Sequence, residues 1–306
     1  MNVEAELKKD GIEIIGRLDT LSVNSISRNA AEKICKAFPR AHFDYGQLFI
    51  EFSRTPMYIA KMPEGYAEAT YFYKNSSIYF KAGVPLKDLE KFAVHELIHH
   101  IQEVKDNKGN LYRLGLCEYS EFKTYGTALN EGAVQLAASK ILEQKETVVK
   151  YYDISLPTNS PNCYPLLCNL IYQMAYVTGE EVLFESTFNS NDHFKNKFTA
   201  LCGENVYNQI SNYFDKILET EEKIIKISNK IQKTELSTAK VDSLYKKSDE
   251  LKKQLKSVYF STQELIINSY FTNSLKTLIT SDDVDIFRKK LYSFQDIIGT
   301  TTNYFF

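Results

Sequence analysis

The residues of this chain that could do chemistry are densest at His95-Glu96-Leu97-Ile98-His99. In a helix, positions four apart stand on one face, one turn above the other. Both imidazoles of an H-E-x-x-H run can then reach a single ion. Glu96 lies beside them, placed to take a proton from a water activated there. The pattern points to hydrolysis assisted by one zinc ion. Two histidines need a third protein ligand, with a fourth position left to water. Glu131 is the expected third ligand. It stands in the stretch 127–138, otherwise small and apolar apart from Asn130 and Gln135, where a lone carboxylate is costly to bury unless paired or metal-bound. Glu118 and Glu121 are its rivals, closer in sequence but in a polar, loop-like stretch. Gly132 leaves room for another backbone or side chain to come close. Gln135, one turn after Glu131, is expected to accept a hydrogen bond from the outward ring nitrogen of a ligating histidine, with Asn130 as a second supporting polar group. His100 points about 100° around the helix from His99 and is not expected to be a ligand.

The motif needs a helix to carry it. Leu86, Leu89, Phe92, Ala93, Leu97 and Ile101 recur at helical spacing, and Asp88 and Glu90 fall where the helix dipole favours acids. This predicts an amphipathic helix over about 86–105. A second helix carries Glu131 and runs to about Lys150, and the glycine-containing stretch 106–126 is expected as a long connection rimming the cleft. Upstream, the expectation is a helix near 24–38 and strands at Gln47–Phe52, Met57–Lys61, Ala69–Tyr73 and Ile78–Lys81. Asn75-Ser76 would turn a hairpin whose second strand leads through Gly83 and Pro85 into the motif helix. That second strand is the candidate edge for pairing with an extended substrate, set against a plain structural hairpin blocked by Lys81. Further helices are expected near 164–178 and 179–188, after a loop at Asn159–Asn162. In the last third, Ile217, Ile224, Ile227 and Ile231 keep heptad-like spacing, as do Val241, Leu244, Leu251, Leu255 and Val258 with Ser248 in the seam. The break at 234–238 makes this an antiparallel helical hairpin. Residues 275–306 read as a helix or two with a Tyr-Phe-Phe tail. The expected segments are 1–85, 86–204 and 205–306.

H-E-L-I-H followed by a downstream A-L-N-E-G helix resembles the gluzincin group of zinc metallopeptidases, over about residues 75–140. The run from Tyr164-Pro165 to Phe198 is similar to helical segments of compact bacterial gluzincin-like proteins. The resemblance implies an α+β, zincin-like core with a small N-terminal sheet, an active-site helix and a helical lower half, here with the C-terminal helical hairpin added. It implies that His95, His99 and Glu131 bind Zn2+, that Glu96 is the general base, and that the substrate is a peptide or protein. Gluzincins add a Tyr or His that stabilises the oxyanion; Tyr125, just before Gly126, is the candidate, with His193 and Tyr176 as rivals. The chain departs from thermolysin-like members in its longer His99-to-Glu131 interval and in Gln135, where they carry an acid. Metzincins are excluded, because their later Gly and His positions are Gln102 and Lys105 here. Peptide deformylases use a cysteine upstream of the motif, and Cys35 has no such surroundings.

Composition excludes other classes. The 306 residues are 43% hydrophobic and 25% charged, with net charge −2 and pI near 6.3. A chain without basic excess is not built for nucleic acid. No apolar run approaches membrane-spanning length, so no membrane partner is expected. The first residues lack an apolar signal core, and five irregularly spaced cysteines read as reduced thiols, so a cytoplasmic protein is expected. Two alternatives stand beside the peptidase: an inactive zincin-fold protein that binds a protein partner through its helical hairpin, and a metal-free protein with structural histidines.

Overall fold

Two aspartates start the first long helices. In the computed structural model, which describes residues 3–9, 11–63, 65, 67–120, 124–233 and 237–298, Asp19 accepts from the Ser22 backbone N–H at 2.9 Å. Asp44 does the same for Gln47 at 2.7 Å. Each satisfies an N–H that the first turn leaves without a partner. The described chain is mixed α+β and forms two compact units. The first comprises Met1–Gly115, Ala137–Gln144 and Phe188–Ser190; the second comprises Leu116–Leu136, Lys145–Thr187 and Asn191–Phe306.

In the first unit, α1 (Val3–Lys9) and β1 (Glu13–Arg17) precede α2 (Thr20–Ala37) and α3 (Tyr45–Arg54). Strands β2 (Met57–Lys61), β3 (Ala69–Phe72) and β4 (Ser77–Lys81) complete a four-stranded sheet of order β1-β2-β4-β3. Residues 47–52, expected as a strand, lie inside α3. The Asp44 cap and the buried pair Leu48 and Phe52, four apart, are helical signals that outweigh the aromatic and branched composition. The edge expectation is also corrected. β4 pairs with β2 in parallel, Met57 opposite Ile78, and with β3 antiparallel, Ala69 opposite Phe80. It is therefore an interior strand, buried from Ser77 to Phe80, and β3 is the edge beside it.

Helix α4 (Leu86–Ile101) carries the motif and packs on α2, β3 and β4. Its buried Leu89, Val94, Leu97 and Ile98 each contribute about 1.5–3 kcal/mol. Glu90 binds Asn29 and Lys33 of α2. The helix ends four residues before the expected 105, and the chain becomes β5 (Glu103–Lys105), paired with β6 (Leu111–Leu114). Asp106 accepts from the Lys108 and Asn110 N–H groups, both at 2.8 Å, and Gly109 takes φ +80°. The presumed connection is thus a hairpin turn here.

The second unit opens with another hairpin in that stretch, β7 (Cys117–Tyr119) and β8 (Thr124–Tyr125). Helix α5 (Thr127–Ile141) follows and is divided between the units after Leu136. It stops nine residues before the expected Lys150. Glu143 takes φ +52°, and the Gln144 N–H turns back to the Ser139 carbonyl at 2.9 Å. The following Thr147-Val148-Val149 is β-branched and forms β9 (Thr147–Tyr151), which pairs with β10 (Ile154–Thr158) across Tyr152 and Asp153, both at positive φ.

Helix α6 (Pro165–Thr178) is buried on nearly every side, as a central helix must be. Around it pack α8 (His193–Cys202), α9 (Glu204–Lys233), α10 (Thr238–Leu275) and α11 (Ser281–Ile298), while α7 (Glu180–Asn189) follows it directly. The expected hairpin is α9 against α10, with Ile217, Ile224, Ile227, Ser248, Leu255 and Val258 buried. Inside the unit, Asn169 Oδ1 accepts from Gln173 at 2.6 Å and from the Tyr259 hydroxyl at 2.7 Å, and Asn169 Nδ2 donates to the Pro157 carbonyl at 2.9 Å. The tail 304–306 lies outside the described residues. No helix among the described residues is long and apolar enough to cross a membrane.

Candidate metal centre

Helical periodicity stacks His95 and His99 on one face of α4, with Nε2 atoms 3.1 Å apart and ring centroids 4.9 Å apart. Glu131 is in the second turn of α5. One ligand atom from each of His95, His99 and Glu131 lies within 4.8 Å of the others. Donors about 2.0–2.1 Å from a tetrahedral zinc stand about 3.3 Å apart, so the two imidazole nitrogens already have the required separation. Two imidazoles and one carboxylate are a donor set that suits zinc. The three side chains are thus of the kinds that could hold a metal ion, with the histidine pair already at a suitable spacing.

Side chains around the candidate cluster are buried and tied to their neighbours. His99 is 5% exposed, and its Nδ1 lies 3.3 Å from Gln102 Oε1. Glu96, 8% exposed, is buried beside the histidines. At the start of α5, Gly126 takes φ +75°, and a Cβ there would sit 3.0 Å from the Leu116 carbonyl oxygen. The Ala128 N–H donates to Asp215 of α9 at 3.0 Å, which caps α5 from another helix. Asn130 Oδ1 accepts from the Leu116 N–H at 3.0 Å, so Asn130 ties β7 to α5. Gln135 Nε2 donates to Ser160 Oγ at 2.9 Å. The close approach expected at Gly132 is present: a Cβ there would meet Leu167 Cβ and its carbonyl oxygen, both at 3.2 Å.

The described rivals, Glu118, His193 and Tyr176, are bound to other groups. Glu118 pairs with Lys195 at 3.1 Å, and Glu121 lies outside the described residues. Tyr125 stands opposite Glu118 in the β7–β8 pair and is 51% exposed. His193 pairs with Glu185 at 3.0 Å, and the Tyr176 hydroxyl donates to the Lys290 carbonyl at 3.1 Å. His100 turns away from its neighbour, with Nδ1 3.0 Å from the Tyr71 hydroxyl and Nε2 3.5 Å from Glu51. Burial holds His100 below the usual imidazole range, against the pull of Glu51 and Glu103. Burial pushes the Cys117 thiol up to about 11, and the Glu131 and Asp215 carboxylates add to that, so Cys117 stays a neutral thiol at neutral pH.

Sequence reasoning missed Gln102 and Asp215. Gln102 carried a signal, because three residues after His99 is a same-face position. Asp215 carried none, since its partner is 87 residues away. No protein-family model, no curated protein and no solved structure matches this chain.

Proposed function

We propose that this chain is a zinc-dependent peptidase of gluzincin type. The observation that carries the reading is the convergence of His95, His99 and Glu131 donor atoms beside the buried Glu96. The mixed sheet of the first unit, with α4 packed against it, is compatible with a zincin-like core. When bound, zinc would polarise the scissile carbonyl and make a water acidic enough to lose a proton near neutral pH. Glu96, buried beside the histidines, would serve as the general base that takes a proton from water and returns it to the leaving amine. Tyr125, whose ring is half exposed just before α5, is the proposed donor to the oxyanion. The edge strand β3 is the proposed place for an extended substrate backbone.

Elemental analysis of wild type and Glu131→Ala, side by side, tests the centre. One zinc per chain is expected in the wild type, lost or sharply weakened in the variant. Glu96→Gln should keep the zinc and lose cleavage of a peptide library by at least about 100-fold. Absence of zinc in the wild type after metal is offered at neutral pH would remove the reading. Zinc binding without any Glu96-dependent cleavage would leave a zincin-like binding protein instead.

A further inference from the structure

We infer that Gln102 is a positioning residue for His99: its amide oxygen holds the ring proton on Nδ1 and leaves Nε2 to the ion. The inference deepens the zinc reading above and rests on it. Gln102 follows the last residue of α4 and is fully buried. A buried amide without partners is costly, so its orientation is set by what it bonds. Its Oε1 faces His99 Nδ1 at 3.3 Å. An amide oxygen only accepts, so the nitrogen facing it must carry the hydrogen. Neutral imidazole has one such hydrogen, and Nε2 then presents its lone pair. That lone pair points into the cluster, where His95 Nε2 is 3.1 Å away.

The backbone of Gln102 is held as firmly as its side chain. Its N–H donates to the Ile98 carbonyl at 3.1 Å. Its carbonyl accepts from Ser190 Oγ at 2.6 Å, and Ser190 Oγ accepts from the Gly115 N–H at 2.8 Å. Ser190 itself takes φ +49°, a left-handed position at the end of α7. A relay therefore runs from Gly115 through Ser190 and Gln102 to His99. A neutral amide fixes the tautomer without adding negative charge behind the ligand. A carboxylate there would fix the same tautomer and also make the imidazole a stronger donor to the ion.

The test uses the full chain with two substitutions. Gln102→Met keeps the volume and removes the acceptor; Gln102→Glu keeps the acceptor and adds charge. Zinc affinity is measured by chelator competition, and the His99 tautomer by nitrogen NMR on metal-free protein. In the wild type, the hydrogen should reside on Nδ1. Gln102→Met should weaken zinc by about 10–100-fold and move the hydrogen toward Nε2. Gln102→Glu should bind zinc at least as tightly as wild type. Unchanged zinc affinity in a folded Gln102→Met protein, or an Nε2–H tautomer in the wild type, would overturn the inference. The wild-type tautomer decides the matter even if Gln102→Met does not fold. If the wild type holds no zinc, the peptidase reading fails while the tautomer still reports on Gln102.

Discussion

Glu221 of α9 should make the protein lose stability as pH rises from 5 to 9. Its side chain is 4% exposed, Tyr151 of β9 bonds it, and its Oε1 has no hydrogen-bond partner among the described residues. Burial pushes its carboxyl from 4.5 up to about 8, with the Tyr151 hydrogen bond opposing. The folded state thus keeps a proton that the unfolded chain releases above about pH 4.5. Stability from this group is complete below that pH and is lost as pH rises through about 8. At about 1.4 kcal/mol per pH unit, the loss between pH 5 and pH 9 is about 4 kcal/mol. Local opening of the β9–β10 hairpin would cap it, because an exposed carboxylate no longer resists ionising. The titratable neighbours Tyr151, Tyr152 and Cys168 are all pushed upward, so none of them releases a proton in this window. Glu221→Gln mimics the protonated form and should remove the slope. Urea unfolding followed by circular dichroism at pH 5, 7 and 9 measures it, since the chain has no tryptophan to report by fluorescence. Parallel pH dependences for wild type and Glu221→Gln would refute the reasoning.

Gly126→Ala forces a Cβ to 3.0 Å from the Leu116 carbonyl at φ +75°. It should cost about 2 kcal/mol, seen as a melting temperature lower by about 4–8 °C. Asn169→Leu strands the donors of Gln173 and Tyr259 and the Pro157 carbonyl, and should cost about 3–5 kcal/mol in urea unfolding. Adding Tyr259→Phe should recover part of that loss; simple additivity of the two changes would contradict the shared hydrogen bond. Tyr125→Phe should leave zinc content unchanged and lower kcat more than KM on a cleaved peptide; an unaltered kcat would remove Tyr125 from the proposed mechanism.

Features whose cause spans four residues or fewer could be read from the letters. The stacking of His95 over His99 follows from the helical repeat, and the apolar face of α4 from the same period. The need for a small residue at Gly132 was also visible, though only the fold identifies Leu167 as the neighbour. Errors arose where a local signal was weak or shared by two structures. A helix can end at a glutamate in the left-handed region, as at Glu143, without the glycine that usually announces it. Leu48 to Phe52 has strand-like composition and helical spacing at once, and the Asp44 cap tips the balance.

The sequence alone determined the chemistry on offer: two imidazoles and a carboxylate on one helix, with acids downstream to choose among. Backbone hydrogen bonds four residues apart enforce that much wherever the segment lies. Tertiary packing decided which acid joins them, which strand forms the edge, and which amide faces His99. Glu131 is 32 positions after His99, and it, not Glu118, shares the cluster. β4 became interior because β2 pairs with it in parallel, a partnership that crosses an intervening strand. The amide facing His99 belongs to Gln102, whose carbonyl is held by Ser190 and, through it, Gly115. Each of these outcomes is set by side chains far apart in the chain filling one space together, and such packing leaves no periodic trace in the residues that take part.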